Sequence, residues 1–161
     1  MNKQYRLNYE SPIGPIEIIG TDTAISSIMF SDQNLTSIVD HQEDLPVVLQ
    51  ECYRQLDEYF KGNRQEFTIP YVMNGTDFQQ IVWNTLLMIP YGNTTNYRDM
   101  AAAVDHVKAI RAVGNANGRN KLSIIIPCHR VIGADGSLTG YAGGLWRKEW
   151  LLEHERKHFT L

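Results

Sequence analysis

Cys128, one of two cysteines in the chain, stands between Pro127 and His129 in the run Ile126-Pro127-Cys128-His129-Arg130-Val131. A thiolate is a strong nucleophile, and an adjacent imidazole is well suited to take the thiol proton. These residue types side by side point to nucleophilic chemistry on sulfur. The competing reading is an inert packed thiol, because free cysteine often behaves as a small buried hydrophobe. Ile124, Ile125 and Ile126 predict a short buried strand that holds the thiol, ended by Pro127. Neither cysteine has a Cys or His at zinc-site spacing, so no metal and no cofactor is expected.

The elements that must position this thiol fall into two patterns. Tyr5 to Tyr9, Ile16 to Gly20 and Ile25 to Phe30 read as short strands of an antiparallel meander, separated by Ser11-Pro12-Ile13-Gly14 and Thr21-Asp22-Thr23. From Pro46, the residues Leu49, Cys52, Tyr53, Leu56, Tyr59 and Phe60 recur at helical spacing until Gly62, which makes Cys52 a core residue. Tyr71 to Gly75 is expected to be a linker. Two domains are thus expected, residues 1–75 and 76–161, with the first serving as support.

Beyond the linker the chain is helical. Thr76-Asp77-Phe78-Gln79 has the form of a capping box, and the following helix is predicted to end at Pro90-Tyr91-Gly92. Thr95 is expected to cap a second helix running through Val104. A third helix, Lys108 to Asn117, follows the short turn Asp105-His106-Val107, which makes a helix-turn-helix candidate. Val131 to Gly133 and Leu138 to Gly140 predict a hairpin that serves as a wing, and a last helix is predicted from Leu145 to His158.

Charge divides the chain at the same place. The net charge of −3 is the balance of 5 basic and 11 acidic residues over 1–75 against 10 basic and 7 acidic over 76–161. Between His106 and Arg130 there are five Lys and Arg and no acidic residue, as a phosphate-binding surface requires. An ordinary solvated basic face would show the same balance. The third helix is also slim, with Ala109, Ala112, Gly114, Ala116 and Gly118, and its Asn115 and Asn117, with Asn120 beyond, suit a nucleic-acid groove. No apolar run approaches the roughly 20 residues of a membrane span, and the N-terminal residues lack a secretory pattern, so a cytoplasmic protein is expected.

Taken together, Phe78-Gln79 with Val82-Trp83, Ile89-Pro90-Tyr91-Gly92, Arg111-Ala112-Val113-Gly114, Pro127-Cys128-His129-Arg130-Val131-Ile132 and Gly140-Tyr141-Ala142-Gly143-Gly144 with Lys148 and Leu151-Leu152 resemble the 6-O-alkylguanine-DNA alkyltransferases. That resemblance implies an α+β protein, with a small ribonuclease-H-like N-terminal domain and a C-terminal winged-helix domain that binds DNA. It implies direct-reversal repair of double-stranded DNA containing alkylated guanine. The alkyl group passes from the 6-oxygen of guanine, and by extension the 4-oxygen of thymine, to Cys128 in one irreversible turnover.

The resemblance also implies roles for residues. His129 acts on Cys128 through a water and Glu155 orients the imidazole, with Glu153 as the competing carboxylate. Tyr97 relieves charge on the leaving base, and Arg111 fills the stack when the nucleotide flips out. Arg111, Lys108, Asn115, Arg130 and Thr95 form the expected DNA-binding set. Val131, Tyr141, Ala142, Gly143 and Asn120 form the expected substrate pocket, with Asn120 bracing the recognition helix against the active loop. The chain departs from common family patterns at Asn96, at Lys121 after Asn120, and at Ser123, where some relatives carry proline. A monomer without an obligate protein partner is expected. A winged-helix regulator would not need the Cys-His-Glu set, and a cysteine hydrolase would not need the basic helix.

Overall fold

The computed structural model describes residues 3–31, 44–104 and 110–159. It divides into two compact units, Met1–Met73 and Asn74–Leu161. In the first, β1 (Tyr5–Ser11), β2 (Gly14–Gly20) and β3 (Ile25–Phe30) form an antiparallel meander in the order β1-β2-β3. The first hairpin closes from Ser11 to Gly14, whose φ of 108° favours glycine. Alternation along β2 sends Ile16 and Ile18 into the core. The helix α1 (Val47–Phe60) lays Leu49, Cys52, Leu56 and Tyr59 against the sheet. Burial pushes the Cys52 thiol up to about 12, so it stays neutral and packed. Tyr71, expected in the linker, bridges to Ile25 and belongs to this unit.

The second unit begins with α2 (Asp77–Leu86), whose capping box has both bonds: Gln79 N–H donates to Thr76 Oγ1 at 3.1 Å, and Thr76 N–H to Gln79 Oε1 at 2.9 Å. Two residues, Thr95–Asn96 (β4), precede α3 (Tyr97–Ala103). The cap of α3 is Asn96 and not Thr95: Asn96 Oδ1 accepts from Asp99 N at 2.8 Å, while Thr95 pairs in parallel with Val131 of β5 (Val131–Ile132). Then comes α4 (Ile110–Gly118), packed on α2 and α3, and α5 (Leu145–His158) closes the unit. The turn expected at 105–107 and Lys108 lie outside the described residues.

Two expectations about strands are corrected. Residues 122–126 are a tight turn, with Ile126 N–H donating to Leu122 O at 2.9 Å and Ile125 N–H to Ser123 O at 2.8 Å. Ile124 sits at φ 75°, a costly conformation for a β-branched residue. A buried apolar triplet reads alike as strand or turn, and here the backbone groups bond within the segment. The wing is also not a paired hairpin. Its tip closes through Gly133 N–H to Ser137 O at 2.8 Å, and the short strand β5 takes β4 as its partner instead.

Helix α4 is fixed in part by Trp83 of α2, whose Nε1–H donates to Ala116 O at 2.8 Å in a buried setting. Replacing Trp83 with Phe keeps much of the ring's bulk but removes this bond, and is expected to cost about 1 kcal/mol in urea unfolding. An unchanged midpoint would mean that the bond contributes nothing to holding α4.

Candidate active site

Cys128 opens a single 3-10 turn, Cys128–Arg130, immediately after the strained loop, and is 5% exposed. Asn120, just past the end of α4, organises that loop. Its Nδ2 donates to Ile126 O at 2.8 Å and reaches Cys128 Sγ at 3.3 Å, while its Oδ1 accepts from Leu122 N at 2.9 Å. From α4 itself, Asn117 Nδ2 donates to Cys128 O at 3.3 Å. Asn117 and Asn120 are buried, so of the three asparagines read as groove residues only Asn115 is exposed. The same helix therefore presents one face outward and ties the thiol loop with the other.

His129 is wholly buried, and its Nε2 lies 2.7 Å from Glu155 Oε2. Arg130 grips the same carboxylate with two donors, Nε to Oε1 at 2.7 Å and Nη2 to Oε2 at 3.1 Å, and spends Nη1 on Ile89 O at 2.7 Å. Burial alone would raise the Glu155 pKa, but His129 and Arg130 outweigh it and hold the carboxyl below its usual range. An ionised carboxylate only accepts, so the His129 proton belongs on Nε2. In the neutral ring Nδ1 then carries the lone pair, and this atom is buried with no hydrogen-bond partner among the described residues. Glu153, the competing carboxylate, is exposed.

Arg130 is a correction to the expected DNA-binding set. It is 7% exposed and committed to Glu155 and Ile89, so it has no face for a phosphate. Counting charges along the chain cannot see that one of them is neutralised inside. Arg111 and Asn115 are exposed on α4 beside Ala112 and Arg119, whereas Thr95 is half-buried in β4.

Around the thiol, burial favours a neutral resting state and the nearby charge and donors oppose it. Burial raises the Cys128 pKa, opposed by the Asn120 hydrogen bond, the Lys148 charge and the N–H groups of Cys128 and His129. Lys148 was not among the expected site residues, yet it is fully buried, donating to Thr139 O at 2.7 Å and Gly140 O at 3.3 Å. Burial lowers its pKa to about 8, with Cys128 acting in the opposite direction. A signal was present: Lys148, Leu151, Leu152 and Glu155 recur at i, i+3, i+4 and i+7 on one face of α5. Tyr97, half-buried at the start of α3, also points at the wing, its hydroxyl donating to Thr139 O at 3.3 Å. Val131 is buried, Tyr141 and Gly143 are half-buried and Ala142 is exposed. Burial and the nearby Cys128 hold the Tyr141 phenol neutral. The site is thus a buried thiol followed in the chain by a buried imidazole that is hydrogen-bonded to a buried carboxylate.

Replacing Glu155 with Gln is expected to cost about 3 kcal/mol at neutral pH, because it leaves Arg130 buried without its counter-charge. Since the folded pKa lies below the ordinary 4.5, the contribution is present above pH 4.5 and lost as pH falls through the folded value. Urea unfolding curves of the wild type and E155Q should therefore converge on acidification. A constant difference across that range would contradict this origin.

Residues 77–157 match the 6-O-methylguanine DNA methyltransferase, DNA binding domain, and residues 5–71 the ribonuclease-like domain of the same family. The chain is 47% identical over 154 residues to the methylated-DNA–protein-cysteine methyltransferase of Mycobacterium leprae, covering 94% of this chain and 92% of that one. To the constitutive methylated-DNA–protein-cysteine methyltransferase of Bacillus subtilis it is 43% identical over 159 residues, covering 94% and 95%. The crystal structure of Mycobacterium tuberculosis O6-methylguanine methyltransferase superposes with a TM-score of 0.85 at 39% identity, over 98% of this chain and 96% of that one. A Mycobacterium tuberculosis protein solved in complex with DNA gives 0.84 at 42% identity, over 96% and 93%. With both halves of the chain matched in order, the protein belongs to the 6-O-methylguanine DNA methyltransferase family.

Proposed function

We propose that this chain repairs double-stranded DNA directly, by moving an alkyl group from the 6-oxygen of guanine to its own Cys128 in a single turnover. The observation that carries the reading is the buried set of Cys128 and His129, on a turn tied by Asn117 and Asn120 to the helix that exposes Arg111, with Glu155 of α5. The thiol is neutral at rest, so it needs a base. His129 Nδ1 takes the thiol proton through a water, and Glu155 stabilises the imidazolium that results. The Asn120 amide and the Lys148 ammonium favour the thiolate.

The thiolate attacks the alkyl carbon in line. The S–C bond forms as the C–O bond breaks, and the electron pair leaves with guanine. Tyr97 then donates a proton or hydrogen bond to a ring nitrogen of the departing base, which requires its hydroxyl to turn from Thr139 O. Val131, Tyr141, Ala142 and Gly143 line the pocket for the flipped nucleotide. The 4-oxygen of thymine presents the same alkyl–oxygen chemistry and is a second substrate on this reading. Arg111, exposed near the start of α4, fills the stack left by the flipped base, with Lys108, Asn115 and Thr95 on the DNA side. Residues 1–75 support the alkyltransferase domain 76–161. The protein works as a monomer in the cytoplasm, a location compatible with the lack of a described helix long and apolar enough to cross a membrane.

A thioether has no route back to a thiol here. Incubation with excess methylated duplex should add one methyl group per molecule, mapped by mass spectrometry to Cys128, and Cys128→Ala should gain none while still binding DNA. Repeated turnover, or methylation elsewhere in C128A, would sink the assignment. Arg111→Ala should slow transfer from duplex by roughly tenfold or more, since unstacking a base costs a few kcal/mol, with a smaller loss on single strands. Equal losses on both substrates would remove Arg111 from the stack.

A further inference from the structure

Lysine is almost never fully buried without a pairing partner. Lys148 is fully buried, and among the described residues it has no carboxylate partner. Its two hydrogen bonds go to successive main-chain carbonyls, Thr139 O at 2.7 Å and Gly140 O at 3.3 Å. Its Nζ also stands 5.9 Å from the centre of the Tyr97 ring, within the range where a cation is attracted to the π face. Burying an ammonium is costly, so whatever it holds is held for a reason that an apolar side chain would not serve.

Thr139 O has two side-chain donors. Tyr97 Oη lies 3.3 Å from it and Lys148 Nζ 2.7 Å. A carbonyl oxygen has two lone pairs and accommodates both, but the long tyrosine bond is the weaker and the charged lysine bond the stronger. Removing the Tyr97 hydroxyl therefore leaves Thr139 still held, whereas removing the ammonium leaves Tyr97 as its remaining side-chain donor. Thr139 and Gly140 lead directly into Tyr141-Ala142-Gly143, the segment assigned to the flipped base. Gly140 has φ 47°, and a Cβ added there would meet nothing within 4 Å, so no neighbour packs against that position.

We propose that Lys148 is a positioning residue that holds the Thr139–Gly140 segment so that the Tyr97 hydroxyl is free to leave Thr139 for the substrate. Tyr97 rests on a carbonyl that does not need it. The substrate loop keeps its shape when the hydroxyl turns away, because the ammonium stays behind. This inference rests on the alkyltransferase reading, in which Tyr97 serves the departing base.

The test is a double-mutant cycle on Lys148→Met and Tyr97→Phe, with Lys148→Arg as the conservative variant. Single-turnover transfer at saturating methylated duplex, thermal midpoint, affinity for unmodified duplex and iodoacetamide labelling of Cys128 are measured for each. K148M is expected to slow transfer by about tenfold or more through misplacement of the loop, with affinity for unmodified duplex unchanged, and K148R to recover part of that loss. The decisive sign is the coupling. Y97F should slow transfer in the wild-type background but have little further effect in K148M, where Tyr97 is retained by Thr139. For the thermal midpoint the coupling reverses, and Y97F should lower it more in K148M than in the wild type.

A Y97F penalty of the same size in both backgrounds would overturn the proposal. Because the Lys148 charge also favours the thiolate, K148M is expected to lower iodoacetamide labelling of Cys128, but by less than it lowers transfer. An equal loss would also overturn the proposal, by placing the whole effect on the thiol. If K148M fails to fold, the same cycle run on K148R decides, with a reduced coupling of the same sign expected and additivity fatal. Absence of transfer by the wild type would reject the alkyltransferase reading instead, and the midpoint cycle would still report on the latch.

Discussion

A carboxylate in a protein interior has to be matched by charge and by donors, and the Glu155 carboxylate is matched on both oxygens. Arg130 supplies the cation and two N–H groups, and His129 supplies the third contact. The pairing joins the last helix to the 3-10 turn that begins with Cys128. Removing the Arg130 cation would leave the carboxylate without compensation, a loss of several kcal/mol, so the turn is fixed by electrostatics as well as by packing. It also decides a tautomer. With Nε2–H directed at a carboxylate, the basic nitrogen is Nδ1, and the chemistry open to His129 is that of a proton acceptor.

Everything else around the thiol is arranged largely through main-chain groups. The loop before Cys128 bends through Ile124 at positive φ, and Asn120 satisfies the groups that this bend exposes. Asn117 and Asn120 are also how the helix with the exposed basic face connects to the thiol, since one touches Cys128 O and the other Cys128 Sγ. Lys148 and Tyr97 hold Thr139, and Lys148 also Gly140, at the end of the wing segment.

Much of this was legible from residue order, and what was not has physical reasons. Short runs bounded by turn residues located β1 to β3, helical spacing located α1, the Gly143-Gly144 turn located the start of α5, and Thr76 with Gln79 located the start of α2, because those signals are local. Ile124 to Ile126 misled because apolar runs report burial and not conformation. Thr95 misled because Asn96, one residue on, makes the same kind of cap with its own side chain. The largest misreading was Arg130, counted with the basic residues facing DNA but consumed by Glu155. Pairing between residues 25 apart has no local pattern. Lys148 stands out in the sequence as part of a motif and not as a buried cation, although its spacing with Leu151, Leu152 and Glu155 on α5 put it on the inner face.

Deprotonation of Cys128 on the proposed route depends on the state of His129. Nitrogen-15 NMR of the histidine-labelled protein at slightly alkaline pH reads it directly, because protonated and lone-pair ring nitrogens have well-separated shifts. The prediction is a proton on His129 Nε2 and a lone pair on Nδ1, both lost as a fixed pattern in E155Q. A proton on Nδ1 in the wild type would contradict this, since that nitrogen would then have no lone pair to accept the Cys128 proton.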